Sequence, residues 1–288
     1  MTGILYAAGL VGVIGLLIGL LLGFAAIKLA VPVDEKEEAV REVLPGNNCG
    51  GCGYAGCDAL AKAIAAGEAP VTACPVGGKA VADKIAAVMG VEAGEFTRKV
   101  AHVKCEGSCE KAPVKANYYG ITDCRSAAAV PGGGDKACSY GCMGLGSCVS
   151  VCSQDAIHIV HGIAVVDKEK CGGCTECTKE CPRGLIEMIP YDAKWAVGCS
   201  NQDKGPAVMK VCEVGCIGCG ICEKNCPKDA IHVENNIAHI DQDKCVGCGI
   251  CAQKCPKTII KAQGSTRIND VTKALHRLDA GLFRFDDL

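Results

Sequence analysis

Apolar positions are spread unevenly along the chain, and each stretch carries its own period. No charged side chain occurs in the first 27 residues. At 1.5 Å per residue the run from Ile4 to Ile27 would make a helix of about 36 Å, enough to cross a ~30 Å hydrocarbon core. The pattern therefore predicts a transmembrane anchor over 1–31; a cleaved signal peptide would have a basic start and a shorter apolar stretch. Lys28, Lys36 and Arg41 follow the run and no Lys or Arg precedes it. The positive-inside rule then puts the remainder on the cytoplasmic side of the inner membrane. Gly15, Gly19 and Gly23 form a small-residue stripe that would let another membrane helix approach.

Beyond the run, the charged segment with Glu35, Glu37 and Glu38 reads as a solvated helical or linker segment, 32–44. Helix formers fill Asp58 to Ala66, behind an Asp suited to capping, and Val81 to Met89 reads as a second helix. Further on, short β-branched runs straddle turn residues: Ile157 to Val160 with Ile163 to Val166, and Ile231 to Val233 with Ile237 to Ile240. Both are hairpin signals. In the tail, Val271, Leu275, Leu278 and Leu282 lie on one stripe of a helix beginning near Asn269, within a segment 264–288.

Composition changes the picture more than periodicity does. The chain of 288 residues holds 25 cysteines and only 4% aromatic residues, so hydrophobic burial alone does not explain its stability. Most of the cysteines stand in tight Cys-x-x-Cys runs, which read as metal ligation rather than a disulfide framework. The net charge of -2 and the absence of a Lys/Arg block exclude a nucleic-acid partner.

The cysteine-dense half is a tandem repeat. Adding 74 to Cys138, Cys142, Cys148, Cys152, Cys171, Cys174, Cys177 and Cys181 lands on a cysteine every time. Three runs follow Cys-x2-Cys-x2-Cys-x3-Cys-Pro: Cys171/174/177/181, Cys216/219/222/226 and Cys245/248/251/255. In this spacing three thiolates hold one four-iron cluster and the fourth reaches the other cluster of the pair. Zinc is the competing reading, but it takes four ligands, usually as two separated pairs.

The crossed rule assigns Cys216, Cys219, Cys222 and Cys255 to one cluster and Cys226, Cys245, Cys248 and Cys251 to the next. In the first copy Leu145 stands where the repeat calls for a ligand, opposite Cys219. Cys138 is the expected substitute. This gives Cys138, Cys142, Cys148 and Cys181 for one cluster, and Cys152, Cys171, Cys174 and Cys177 for the other. A Gly-rich unit holds Cys49, Cys52, Cys57 and Cys74, read as a fifth cluster site with structural zinc as the alternative. Of the five remaining cysteines, Cys105, Cys109 and Cys124 are expected to hold a sixth cluster if one exists, with Cys199 preferred over Cys212 as the fourth ligand. With Cys199 in that place Cys212 is redundant; scattered free thiols are the alternative. Iron is thus expected through cysteine alone, in five or six 4Fe-4S clusters.

The expected fold is α+β and cofactor-stabilised: a small four-iron domain (45–100), a connector (101–135) and two tandem dicluster ferredoxin modules (136–190 and 191–263). No strand precedes a Gly-x-Gly-x-x-Gly helix start, since Gly132-Gly133-Gly134 follows a Pro in a loop. No Ser, His and acid set is recognisable, so no catalytic residue is expected. A row of clusters argues for electron transfer.

The order of anchor, Cys49/52/57/74 unit and tandem modules resembles the B subunit of the Rnf complex, an ion-pumping ferredoxin:NAD oxidoreductase of bacterial membranes. The small unit alone is similar to one in corrinoid iron-sulfur proteins. The resemblance implies electron input from reduced ferredoxin, flavin- and NAD-binding partner subunits, and sodium or proton transport elsewhere in the complex. Two other readings compete: a tethered polyferredoxin serving a soluble partner such as a sensor or corrinoid enzyme, and a structural metal protein. Co-purification and reduction by ferredoxin separate them.

Overall fold

The computed structural model describes residues 2–28 and 34–263. Helix α1 (Thr2–Lys28) covers the apolar run. Its side chains are described at 3, 9, 10, 12–24 and 28, and the large apolar groups among them are exposed. Among the described residues, no helix is long and apolar enough to cross a membrane. The helix expected near Asn269 lies outside the described residues.

Three helices build the small unit: α2 (Glu35–Val43), α3 (Cys57–Ala65) and α4 (Gly78–Met89). The segment expected to be solvated instead packs as part of this unit. Asp34 caps α2 by accepting from the Lys36 amide, and Val40 and Leu44 are buried with Leu60, Ile64 and Ile85. The acidic residues dominate the composition of α2, but its apolar stripe meets α3 and α4. Asp58 does not cap α3, whose N-cap is Gly56; it lies one residue inside the helix and pairs with Arg41 of α2.

The remainder is two copies of one plan. Strand β1 (Lys99–Val103) is followed by α5 (Cys124–Ala129), α6 (Ser147–Ser150), the hairpin β2 (Ile157–Val160) and β3 (Ile163–Val166), α7 (Glu176–Glu180) and β4 (Ile186–Pro190). Strand β5 (Trp195–Val197) opens the second copy. It continues with α8 (Gly205–Val211), α9 (Ile221–Lys224), the hairpin β6 (Ile231–Glu234) and β7 (Ile237–Ile240), α10 (Ile250–Lys254) and β8 (Ile260–Ala262). The inner hairpins pair Ile157 with Val166 and Ile231 with Ile240. Their two-residue turns, His161-Gly162 and Asn235-Asn236, have positive φ throughout, the backbone hand that matches strand twist.

Each copy is closed by a long-range antiparallel pair. Val103 lies opposite Ile186 in β1–β4, and Val197 opposite Ile260 in β5–β8. Module 1 therefore begins at β1. The segment expected to be a connector, 101–135, opens inside β1 and runs on as an insertion within the module. Separate apolar clusters fill the two modules: Ile157, Ile163, Leu185 and Ile186 with β1 in the first, Ile231, Ile237, Ile259 and Ile260 in the second.

Candidate iron-sulfur sites

Short helices α6, α7, α9 and α10 each begin just after a loop turning through a left-handed residue, and each carries one buried thiol: Cys148, Cys177, Cys222 and Cys251. The loops bend tightly because Gly144 and Gly218, at equivalent positions, have φ near +75° and +64°. A Cβ at either would collide with the backbone of the hairpin turn, Gly162 or Asn236. This curvature turns successive thiols toward one point.

Four cavities of about 350 to 390 Å³ are lined by four cysteines each. Cys216, Cys219, Cys222 and Cys255 line one, and Cys226, Cys245, Cys248 and Cys251 another. A third holds Cys124, Cys142, Cys148 and Cys181, and a fourth Cys105, Cys138, Cys199 and Cys212. Electrostatics trace a further quartet and three thiols of the small unit's Cys49/52/57/74 set. Cys177 is pushed up to about 12 by burial, with Cys171, Cys174 and Cys152 adding to it. Burial also raises Cys74, and Cys57 and Cys52 face it.

The expectations for Cys138, Cys124, Cys109 and Cys212 are corrected. Cys138 does not join Cys142, Cys148 and Cys181; Cys124 does. The Asp123 carboxylate caps α5 by accepting from the Ser126 amide (2.7 Å) and from Ser147 Oγ (2.6 Å), and the Cys124 amide donates to Ser147 Oγ (2.7 Å). Ser147 precedes Cys148, so this network fastens the inserted segment beside the site. The insertion thus supplies the thiol that Leu145 displaced. Cys109, expected to be a ligand, is exposed and lines none of the four cavities, and Cys212, expected to be redundant, lines the central one.

The central cavity is built by equivalent pairs. Cys105 and Cys199 each stand two residues after the first strand of their module, and Cys138 and Cys212 are related by the repeat offset. The Cys142 amide donates to Cys105 Sγ and the Cys216 amide to Cys199 Sγ, both at 3.3 Å. A signal existed: Cys105 and Cys199 are 94 apart rather than 74, the excess being the insertion that carries Cys124. A search at one fixed offset passes over it.

The donor set fits four-iron clusters. Among the described residues, no group of three or more potential ligands is close enough to hold a single ion, whereas a zinc site draws four sulfurs to ~2.3 Å of one point. Here the thiols stand apart on the cavity walls. Backbone amides point at the sulfurs, including Ala101 to Cys171, Ala164 to Cys142, and the equivalent pair Ala156 to Cys152 and Ala230 to Cys226, at 3.3 to 3.4 Å. Such bonds stabilise the more negative, reduced state of a thiolate-bound cluster.

Neighbouring quartets touch. Cys174 is raised by burial, and Cys49 of the small unit is one of the thiols facing it. Gly51 sits so close that a Cβ there would lie 2.6 Å from the Cys174 carbonyl oxygen. Cys148 is pushed up to about 12 by burial, with Cys142, Cys124, Cys181 and then Cys177 of the adjoining quartet adding to it. The Cys105 and Cys199 bonds to Cys142 and Cys216 join the central cavity to both modules. The sites thus follow one another from the small unit to the far end of module 2.

Comparison with known proteins agrees with this reading. An Fe-S cluster family model matches residues 44–76, and 4Fe-4S dicluster domain models match 170–231 and 215–259. The chain is 49% identical to the B subunit of the Na(+)-translocating ferredoxin:NAD(+) oxidoreductase complex of Acetobacterium woodii, over 85% of this chain and 73% of that protein. It is 42% identical to the B subunit of the proton-translocating ferredoxin:NAD(+) oxidoreductase complex of Clostridium ljungdahlii, over 80% and 81%. Against the B subunit of the ion-translocating oxidoreductase complex of Methanosarcina acetivorans the figures are 39%, 80% and 88%. With three cysteine-built units in the expected order and this similarity over most of its length, the chain belongs to the family of B subunits of ion-translocating ferredoxin:NAD oxidoreductases, the Rnf complex.

Proposed function

We propose that this chain is the electron-input subunit of such a complex, accepting electrons from reduced ferredoxin and relaying them through six 4Fe-4S clusters to partner subunits that bind flavin and NAD. The unbroken succession of six cysteine quartets carries the reading. When bound, the clusters supply one-electron storage and transfer. The protein's part is to hold the sites fixed and shielded on their inner side: apolar groups such as Ile157, Ile186, Ile231 and Ile260 are buried around the thiols, and amide donors face the sulfurs. Helix α1 serves as the membrane anchor, its apolar sequence ending at Lys28. The modules then lie on the cytoplasmic side, and the small-unit quartet, nearest the anchor in sequence, is the exit end.

Anaerobically purified protein should hold about 24 irons and as many sulfides. Stepwise reduction by ferredoxin should bleach the iron-sulfur absorbance and raise paramagnetic resonance signals from interacting clusters. Purification from membranes should retain the flavin- and NAD-binding subunits. Failure of ferredoxin to reduce the loaded protein would reject the reading, and loss of all partners under mild detergent would favour a tethered polyferredoxin.

A further inference from the structure

Lys136 is 2% exposed. Its Nζ donates to the carbonyls of Gly107 (3.1 Å) and Gly162 (2.6 Å). Burying an ammonium is strongly unfavourable unless it is compensated. Two neutral carbonyls offset only part of that. The same ammonium acts favourably on the thiolate forms of Cys105 and Cys142, so it faces both the central quartet and the adjoining Cys124/142/148/181 quartet. It also lines the central cavity.

The repeat shows that this is a local feature. Lys210 is the equivalent residue of module 2, and it is exposed on α8. The central site is otherwise built of matched pairs, yet it receives a buried cation from one side only. A further donor reaches it from Asn201, also 2% exposed, whose Nδ2 lies 3.4 Å from Cys138 Sγ. A thiolate-bound cluster is negatively charged, and more so when reduced, so nearby positive charge favours reduction. In a partly screened interior such an attraction exceeds thermal energy severalfold.

We propose that Lys136 is a potential-setting residue: its buried ammonium is a counter-charge of the central cluster and its neighbour, raising the reduction potential of the central cluster and holding that of the Cys124/142/148/181 cluster above that of the equivalent Cys216/219/222/255 cluster. The middle of the relay is then where an arriving electron rests. The proposal depends on the six-cluster reading, and the experiment separates the two, because iron content tests that reading and potential tests this one.

Lys136→Gln keeps a hydrogen-bond donor and removes the charge, whereas Lys136→Arg keeps the charge. The central cluster's resonance signal is identified as the one absent from Cys212→Ala. In a redox titration of fully loaded Lys136→Gln followed by paramagnetic resonance, its reduced-to-oxidised ratio at fixed potential should fall at least tenfold. That corresponds to about 59 mV for one electron. The Cys226/245/248/251 signal should not move, and Lys136→Arg should restore most of the shift. Iron lost from Lys136→Gln but retained in Lys136→Arg also supports the role of the charge. Unchanged potentials in loaded Lys136→Gln, or loss of iron from both variants, would overturn it. An iron content of about 20 in the unaltered protein would instead reject the six-cluster reading.

Discussion

Replacing Cys138 and Cys212 by Ala, singly and together, separates two assignments of the same sulfurs. The structure puts both thiols on the wall of one cavity, with Cys105 and Cys199. A four-iron cluster that loses a ligand is exposed to breakdown, so each single variant should lose about four irons from a total of about 24. The double variant should lose about four as well, because the second substitution acts on a site already emptied. Residues that share one site are non-additive in this way. Had Cys138 belonged with Cys142, Cys148 and Cys181, the double variant would lose about eight irons, or Cys212→Ala would lose none. Pairing Cys138→Ala with Cys124→Ala supplies the contrast: those thiols line different cavities, and their losses should add to about eight. Colorimetric iron and acid-labile sulfide on anaerobically prepared protein, with paramagnetic resonance to identify the missing signal, gives the count. A double Cys138/Cys212 variant lacking about eight irons would refute the shared site. Cys109→Ala is the internal control and should lose none.

Gly51→Val drives a side chain into the Cys174 carbonyl and should cost about 1–3 kcal/mol of contact between the small unit and module 1. Stopped-flow reduction should show slower filling of the Cys49/52/57/74 site at unchanged iron content; an unchanged rate would place the electron path elsewhere. Asp123→Ala removes the α5 cap and the partner of Ser147, so the Cys124/142/148/181 signal should be lost first on mild heating, with the module 2 signals persisting. Ile85→Ala opens a cavity in the fully buried core of α2, α3 and α4 and should cost about 2–5 kcal/mol, read as earlier loss of the small-unit signal in urea. Removing residues 1–33 should leave a brown, redox-active protein that no longer sediments with lipid vesicles; persistent sedimentation of the purified fragment would refute α1 as the anchor.

Much of the candidate site is legible wherever ligands stand close together in sequence. The Cys-x2-Cys-x2-Cys-x3-Cys-Pro runs determine which three thiols share a loop, and the 74-residue offset carries that assignment from one module to the other. The hairpins are equally local, since a two-residue turn with positive φ needs only its own residues. Tertiary structure decides the rest, because the partners there are joined across the chain. Long-range strand pairs β1–β4 and β5–β8 bring Cys105 and Cys199 to the junction of the modules, and the Asp123–Ser147 network carries Cys124 across the insertion. A rule based on neighbouring sequence chose Cys138 for the vacancy at Leu145, since it lies only a few residues away. The fold chose Cys124, because a thiol's site depends on where its backbone is held and not on its distance along the chain. Burial of Lys136 follows the same logic. Its counterpart Lys210 has the same residue type at the same place in the repeat, and only the carbonyls of Gly107 and Gly162, brought together by folding, make one a buried cation and leave the other in water.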